Sequence, residues 1–414
     1  MNGSSARNIP LYRWSRFLRN LTFWQAVWFL YFQNSLSAAE AILLYAIYDI
    51  GTTVLEVPSG YMSDRLGRRR TLLASAVAGL GGALLLALGN SFMAFAAGQI
   101  LLGASMAFAS GTDEALLYES LAADGRGQEI ERQELIAWRW SFSGLALSAV
   151  LGGAMTLWGA TLPFFAAAVA YAALLGVTFA FDEPPKVRPE GAEVIRLGTL
   201  RAALTNPVLV WLFVVGVLMY VFSHLPFIFG QPFILQALDR AGLASEAPLV
   251  SGAVSTVMML ISLAASLVAL RLRQRVGLAA ILLLAFGMQI GLAGVLALTN
   301  SALAIGFLFL RMVPDALSRP FIIGRIQPLL SDDSRATYLS VKSLAGRLLF
   351  AGTLGLSALS TSDVGLMPYA DIQRILGWYV LAGCLCLGTL WLAARRIGVE
   401  PVGEPQAQDP RVGG

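Results

Sequence analysis

Residues 60–70 read Gly-Tyr-Met-Ser-Asp-Arg-Leu-Gly-Arg-Arg-Arg, a compact basic stretch between two apolar segments that are each long enough to cross a bilayer. Its two glycines allow a tight reversal between helices. An arginine run in a short loop is retained on the cytoplasmic side of a membrane, where the lipid is anionic. The stretch therefore predicts a short cytoplasmic connection between two membrane-spanning helices.

The composition of the whole chain also indicates a membrane protein. Hydrophobic residues make up 57% of the 414 residues and charged residues only 13%, and the mean hydropathy is +0.69. A soluble domain of this size could not cover its surface with so few polar groups. The formal net charge of +4 does not indicate nucleic-acid binding, because the basic residues lie in short loops between apolar segments.

Apolar segments of the length that a bilayer requires, about 20 residues, recur along the chain. They lie at roughly 17–36, 40–59, 71–89, 92–119, 136–157, 161–181, 208–230, 249–270, 278–298, 302–320, 337–358 and 374–394. These twelve segments predict an all-α membrane protein. A polar linker, 182–206, divides them six and six, so we expect six-helix bundles at 1–181 and 207–396 and a tail at 397–414.

The distribution of Lys and Arg predicts the orientation of the chain. Basic residues concentrate in alternate loops, whereas the opposite loops contain only Arg240. We therefore expect the linker, the tail and both termini to be cytoplasmic, in an inner or plasma membrane. Residues 271–277, Arg-Leu-Arg-Gln-Arg-Val-Gly, echo the basic stretch after the eighth segment, which predicts pseudo-symmetric halves. The echo has no acid, so we expect the two loops not to be equivalent.

The basic stretch resembles the signature of the major facilitator superfamily, Gly-x-x-x-Asp-Arg-x-Gly-Arg-Arg/Lys, which joins the second and third helices of that family. Residues 56–60, Glu-Val-Pro-Ser-Gly, strengthen the match. The resemblance covers about residues 17 to 394. It implies a transporter rather than an enzyme, with two six-helix bundles that expose a central site to each side in turn. It implies no cofactor and no metal, and we expect a functional monomer in the lipid bilayer.

The family's cytoplasmic gate implies roles for six residues of this chain. They are Gly60, Asp64, Arg65, Gly67, Arg68 and Glu119. By this resemblance Asp64 caps the cytoplasmic end of the eleventh span, and Arg68 pairs with an acid at the end of the fourth span, best matched by Glu119. Gly144, Gly152 and Gly153 resemble the family's glycine-rich fifth helix, which packs closely against a neighbour.

A first prediction concerns the role of Asp64. If its carboxylate caps a helix only in the cytoplasm-closed state, Asp64→Asn should remove about 0.3 to 2 kcal/mol from that state, the range for a charge at a helix end. Cysteine labelling from each side of the membrane should then show more time open to the cytoplasm, with slower transport and normal expression. Unchanged accessibility would exclude Asp64 from the gate.

Ionisable residues inside the apolar segments are the candidates for chemistry, because each one is costly in a membrane. Asp113, Glu114 and Asp49 are the candidates for proton coupling, and Asp113 is preferred because the fourth span lines the central cavity in the resembling family. Two arginines and the only histidine are the candidates for substrate binding: Arg347, Arg311 and His224. Alternatively, each charge pairs within its own bundle and only stabilises packing, as Asp315 could do for Arg311 one turn away.

Three functions remain compatible with the sequence. The first is proton-coupled export of a small organic compound, with the substrate and protons as partners. The second is import or facilitated diffusion of an anionic metabolite, which Arg311 and Arg347 favour. The third is a membrane receptor or scaffold that does not transport, although an intact gating loop would give such a protein little advantage.

Overall fold

The computed structural model describes residues 4–185, 205–326, 329–330, 332–362 and 366–400. In these residues the secondary structure is helical throughout and contains no strand. Most of the expected linker at 182–206 and of the expected tail at 397–414 lies outside the described residues.

The helices of the first half follow one another with short connections. They are α1 (Ser4–Arg19), α2 (Trp28–Phe32), α3 (Ala38–Leu66), α4 (Arg68–Leu88), α5 (Phe92–Ala109), α6 (Thr112–Ala123), α7 (Ile130–Met155) and α8 (Leu162–Phe179). The second half contains α9 (Pro207–Asp239), α10 (Ala247–Val276), α11 (Leu278–Leu298), α12 (Ile305–Leu308), α13 (Val313–Ile326), α14 (Asp332–Leu359) and α15 (Tyr369–Arg396).

Eight described helical segments are long and apolar enough to cross a membrane. They are Ala38–Glu56, Arg68–Leu88, Phe92–Ala123, Leu162–Phe179, Pro207–Asp239, Ala244–Val276, Leu278–Leu298 and Tyr369–Arg396. Two of the other four expected spans, 17–36 and 302–320, are interrupted helices. The remaining two, 136–157 and 337–358, contain basic residues that lower their hydropathy. The structure thus establishes a helical multi-pass protein, and the count of twelve spans stays a prediction.

The first expected span differs most from the structure. The sequence predicted an apolar helix over 17–36, but α1 ends at Arg19 and only a 3₁₀ turn, Phe23–Ala26, and the short α2 follow. The polar helix α1 begins well before residue 17 and packs along α7 and α8. A hydropathy pattern misses such a helix because its arginines and serines outweigh its aromatic residues.

The fourth and tenth expected spans are also broken. α5 ends before Ser110, and Gly111 adopts a left-handed conformation with φ of 71° before α6 begins. Glycine adopts this conformation at no steric cost, whereas other residues rarely do. In the second half, residues 309–312 separate α12 from α13. Both breaks place charged residues at or beside helix ends, where the sequence alone predicted helix interiors.

Contacts divide the chain into two compact units. The first unit contains α1 to α8, the beginning of α10 (Ser245–Thr256) and the end of α14, from Leu354. The second unit contains α9 and most of α10 to α15. The division into six-helix bundles at 1–181 and 207–396 stays a prediction.

Close packing in the first unit depends on small residues. A Cβ on Gly82 would lie 2.9 Å from the carbonyl oxygen of Gly98, so α4 and α5 approach to backbone contact. Gly152 of α7 faces the backbone of Phe23 in the same way. In membranes, contacts between small residues replace the hydrophobic effect as the main source of helix association.

In the second unit, hydrogen bonds and rings join α9 to its neighbours. Trp211 Nε1 donates to the carbonyl of Leu390 over 3.0 Å, which links α9 to α15. The rings of Phe222 and Phe286 meet edge to face with their centroids 5.1 Å apart. These contacts hold α9, α11 and α15 together around a buried apolar core.

The outer surfaces of the helices are apolar. Leu298, Leu359 and Leu385 are 83%, 84% and 73% exposed, respectively. Extended apolar surfaces of this kind mark membrane contact rather than contact with water. The exposed leucines therefore agree with the apolar composition in indicating a multi-pass membrane protein.

Candidate coupling, gating and substrate sites

The joint between α3 and α4 consists of the single residue Gly67, whose φ is 105°. Directly after it, Arg68 Nη2 lies 2.9 Å from Glu119 Oε1 of α6. Arg68 Nη1 also donates to Ser63 Oγ over 2.6 Å. Glu119 is only 5% exposed, so the structure brings together the two residues that the family resemblance paired.

The other predicted gating residues lie on α3. Gly60 is exposed, with open space where a Cβ would be. The Arg65 guanidinium lies 5.2 Å from the centroid of the Tyr61 ring, a cation–π arrangement. The backbone of Asp64 belongs to the helix, but its side chain lies outside the described part of the chain, so its proposed capping role stays a prediction.

A charged network connects α1 to α6 inside the first unit. Arg16 Nη1 lies 2.8 Å from Asp113 Oδ2, and Asp113 is 5% exposed. One turn further along α1, Arg19 Nη1 donates to Ser75 Oγ of α4 over 2.7 Å. Asp113 Oδ1 accepts from the backbone N–H of Glu114 over 2.9 Å. The preferred coupling acid is thus an ion-paired carboxylate in the first turn of α6.

The same network extends to α7. The Tyr12 hydroxyl donates to Glu134 Oε1 over 2.9 Å, and Arg13 Nη2 donates to Gln133 Oε1 over 2.8 Å. Three consecutive turns of α1 therefore reach polar groups on neighbouring helices, through Tyr12 and Arg13, then Arg16, then Arg19. Together these side chains form a polar seam, which we define as Tyr12, Arg13, Arg16, Arg19, Asp113 and Glu134.

The sequence analysis missed the α1 half of this seam. It counted the amino-terminal arginines only among the basic residues that predict orientation, whereas the structure places Arg16 and Arg19 against α6 and α4. A signal was available, because residues 13, 16 and 19 are spaced by three and so lie along one side of a helix. The partner of Asp113 is Arg16, which belongs to the same unit. This pairing is the kind expected under the alternative that each charge pairs within its own bundle.

The other two coupling candidates occupy different environments. Glu114 is exposed and follows Asp113 directly, so its side chain points to another side of α6. Asp49 of α3 is only 3% exposed, and its backbone carbonyl accepts from Thr53 Oγ1 over 2.8 Å. Within the described residues, no group of three or more His, Cys, Asp or Glu side chains could hold a metal ion.

His224 lies in an aromatic cluster between α9 and α14. Its Nδ1 is 2.7 Å from the carbonyl oxygen of Tyr220, which can only accept, so Nδ1 carries a proton in this contact. The ring centroids of Tyr220 and Phe350 lie 4.3 and 5.2 Å from that of His224. Gly346 of α14 leaves room for the Tyr220 ring, because a Cβ there would lie 3.2 Å from Tyr220 Cγ.

Basic side chains surround this cluster in the second unit. The Arg311 guanidinium lies 4.9 Å from the centroid of the Phe227 ring, on the short connection before α13 rather than inside a helix. Asp315 forms an ion pair with Arg319, with 3.5 Å between Oδ2 and Nη2. Arg347 of α14 is partly buried, one turn before Phe350.

Comparison with known proteins identifies relatives of this architecture. The family model for the Major Facilitator Superfamily matches residues 14–355. No curated protein matches the sequence significantly. The solved structure of the nucleoside transporter NupG aligns with a TM-score of 0.74 at 14% identity, covering 92% of this chain and 98% of that chain.

Two further structures have the same fold. A bacterial homologue of the human lysosomal transporter Spinster, inward-facing and unoccupied, aligns with a TM-score of 0.70 at 15% identity, covering 97% of this chain and 100% of that one. The peptide transporter POT in complex with sulfate aligns with a TM-score of 0.72 at 13% identity, covering 94% of each chain. At these identities the likeness concerns the fold alone.

Proposed function

Since the chain belongs to the major facilitator superfamily, we propose that it is a secondary transporter that exports a small organic compound in exchange for protons, by alternating access. The observation that carries this proposal is the Arg16–Asp113 ion pair. A carboxylate held by a cation inside a membrane bundle is a site where proton binding must change the local balance of charge.

The pair offers a direct route to coupling. While Asp113 is ionised, Arg16 is neutralised by it, and Arg19 lies one turn away. When Asp113 takes up a proton, Arg16 loses its counter-charge and the observed arrangement of α1 and α6 loses its ionic contact. Proton binding therefore favours a different arrangement of these helices, which is the differential interaction that coupled transport requires.

We propose an inner or plasma membrane location with both termini in the cytoplasm. The support is the concentration of Lys and Arg in alternate loops, which is retained on the cytoplasmic side during insertion. We further propose that the monomer is the functional unit, as expected from the resemblance to the superfamily.

The experiment that tests coupling uses purified protein in liposomes that contain a pH-sensitive dye. Nucleosides and peptides belong in the first panel, because proteins of this fold transport them, together with lipophilic cations and organic anions. We expect at least one compound to move protons in the direction opposite to its own flux. A compound whose flux is unaffected by the pH gradient, with no proton movement, would contradict proton coupling.

An anionic substrate is the second candidate, and the basic groups of the second unit favour it. Arg311, Lys342 and Arg347 are all partly buried basic residues of this unit. The aromatic rings of Tyr220, His224 and Phe350 provide an apolar wall beside them. An organic anion would bind the basic side chains through its charge and the aromatic rings through its apolar part. This holds for either direction of transport.

The Arg347→Lys and Arg347→Gln variants test this second candidate. If Arg347 binds a carboxylate or phosphate with two parallel hydrogen bonds, Lys should weaken apparent affinity by more than about tenfold, since an ammonium cannot reproduce the guanidinium fork. Apparent affinity for organic anions in liposomes is the measurement. Equal affinity in both variants and the wild type, with normal folding, would assign Arg347 to helix packing.

A further inference from the structure

The Glu183 carboxylate binds the backbone directly after Gly67, the joint between α3 and α4, although the two residues are far apart in sequence. Its Oε1 accepts from the backbone N–H of Arg68 over 2.6 Å, and its Oε2 accepts from that of Arg69 over 2.9 Å. The first N–H groups of a helix have no partner within the helix, and Gly67 has no side chain to supply one. The Glu183 carboxylate therefore caps α4, where the helix dipole also favours negative charge.

Other contacts fix the segment that carries Glu183. The Asn8 side chain forms two hydrogen bonds to the backbone of Asp182, at 2.8 and 2.9 Å. Arg69 Nη2 donates to the carbonyl of Phe179, at the end of α8, over 2.7 Å. The segment after α8 is thus attached to both α1 and α4, although the sequence assigned it to the linker.

The second half repeats this arrangement with different residues. Gly277, with φ of 86°, separates α10 from α11. Glu400 Oε1 accepts from the N–H groups of Leu278 and Ala279, over 2.6 and 3.2 Å. Arg325 of α13 donates to the carbonyls of Val399 and Glu400, over 3.0 and 3.1 Å, and so holds this segment in turn.

The two joints are equivalent in position as well as in geometry. Each follows the second expected span of its half, and each capping glutamate follows the last span and precedes a proline, in Glu183-Pro184 and Glu400-Pro401. A Cβ on Gly67 would lie 2.6 Å from Glu183, and one on Gly277 would lie 2.8 Å from Glu400. Each half therefore supplies a capping glutamate from its own end, whereas the loop acid Asp64 has no counterpart in 271–277.

We propose that Glu183 and Glu400 are positioning residues that hold the two glycine joints, and that Glu183 thereby orients Arg68 toward Glu119. The backbone N–H of Arg68 donates to Glu183, and its guanidinium donates to Glu119. Both ends of Arg68 are therefore held by hydrogen bonds. The gating part of this proposal rests on the proposed transport function. The capping part concerns the fold alone and can be tested without a substrate.

The geometry distinguishes the two glutamates in a way that a substitution can detect. Glu183 uses both oxygens, one for each N–H, whereas Glu400 uses Oε1 for both. A glutamine has a single oxygen, and its amide nitrogen can only donate. In the observed geometry, Glu183→Gln would place its NH₂ donor against one of the two N–H groups, whereas Glu400→Gln can keep both hydrogen bonds through its oxygen.

Hydrogen exchange of the purified protein tests the capping directly. In Glu183→Gln, we expect the amides of Arg68 and Arg69 to exchange about tenfold faster, with the α11 amides unchanged, because two charge-assisted bonds are lost or weakened. Glu400→Gln should change exchange at Leu278 and Ala279 by less than about threefold, and Glu400→Ala by about tenfold. Glu129→Gln is the control, since Glu129 pairs with Arg126 in a partly exposed 3₁₀ turn outside both joints.

Equal exchange in Glu183→Gln and the wild type would overturn the capping role. Equal acceleration of both joints by either single variant would also overturn it, because that pattern indicates general destabilisation. For the gating part, Glu183→Gln should lower the maximal transport rate about tenfold without changing KM, and should have no further effect in a Glu119→Gln background. If the effects of Glu183→Gln and Glu119→Gln on the transport rate were additive, the proposal that Glu183 orients Arg68 would be overturned. The capping role would then rest on the hydrogen-exchange result alone.

Discussion

The Asp113→Asn variant is expected to lose accumulation of substrate against its gradient while it retains exchange of substrate across the membrane. Accumulation needs net proton movement, whereas exchange needs only substrate binding and the conformational change. Asparagine keeps the size of the side chain but cannot take up a proton in the relevant range. Proton-driven uptake and counterflow in the same liposomes measure the two activities separately, and we expect accumulation to fall by at least a hundredfold.

Removing one member of a buried ion pair also destabilises a protein, by about 3 to 5 kcal/mol, because the partner is left without its counter-charge. The double variant Arg16→Gln with Asp113→Asn removes both charges and should recover much of that stability. We expect it to lack accumulation in the same way. Asp124→Asn is the matched control, since Asp124 pairs with Arg126 outside the spans, 3.4 Å away. Accumulation that persists in both the single and the double variant would exclude Asp113 as the coupling site and leave Asp49 as the next candidate.

The partner of Asp113 could not be predicted from the sequence, for a physical reason. Hydropathy assigns a charged amino-terminal segment to the aqueous side of the first span, and three arginines there fit the positive-inside rule. Only tertiary packing shows that α1 runs against α6 and α7, where polar groups on both sides satisfy one another. Asp113 was identifiable because it is a charged residue within an apolar segment. Arg16 was not identifiable, because it lies in a segment that is polar throughout.

The Arg68–Glu119 contact was more predictable than the α1 network, because both residues match a family pattern although they lie 51 positions apart. The Arg68–Glu119 contact has the geometry that the resemblance implied. Glu183 was not predictable in this way, since its carboxylate reaches Arg68 from a segment whose prolines and charges are typical of a linker. Contacts between distant segments depend on how the helices pack, and composition carries little information about them.

Breaks inside apolar segments were hidden for a related reason. Residues 92–119 are apolar enough on average to count as one segment, and the small residues Ser110 and Gly111 do not lower the average hydropathy enough to divide it. The structure separates α5 from α6 at this point because Gly111 is left-handed, with φ of 71°. As a result Asp113 lies in the first turn of a helix, where its Oδ1 accepts from the Glu114 N–H, rather than in the interior of one continuous helix.

Gly152 of α7 is expected to be the most sensitive position for folding. A Cβ built on Gly152 would overlap the carbonyl oxygen of Phe23 and lie 3.1 Å from its Cα. Two turns earlier, a Cβ on Gly144 would lie 2.6 Å from the carbonyl oxygen of Phe17. These contacts are with backbone atoms, which cannot rotate away as a flexible side chain can. The amino-terminal segment and α7 therefore pack at a separation that only glycine allows on this face.

Gly152→Val should consequently destabilise the first unit by about 3 kcal/mol or more, at or above the upper end for overpacked cores, because backbone must move to admit the side chain. The measurements are the yield of monodisperse protein after extraction and its thermal unfolding midpoint. Gly176→Val in α8 is the matched control, since a Cβ built on Gly176 has no neighbouring atom within 4 Å. We expect the control to behave like the wild type and Gly144→Val to show an intermediate loss. A Gly152→Val protein as stable as the control would mean that the Phe23 backbone can withdraw, and that close packing of α7 at this point is not required for folding.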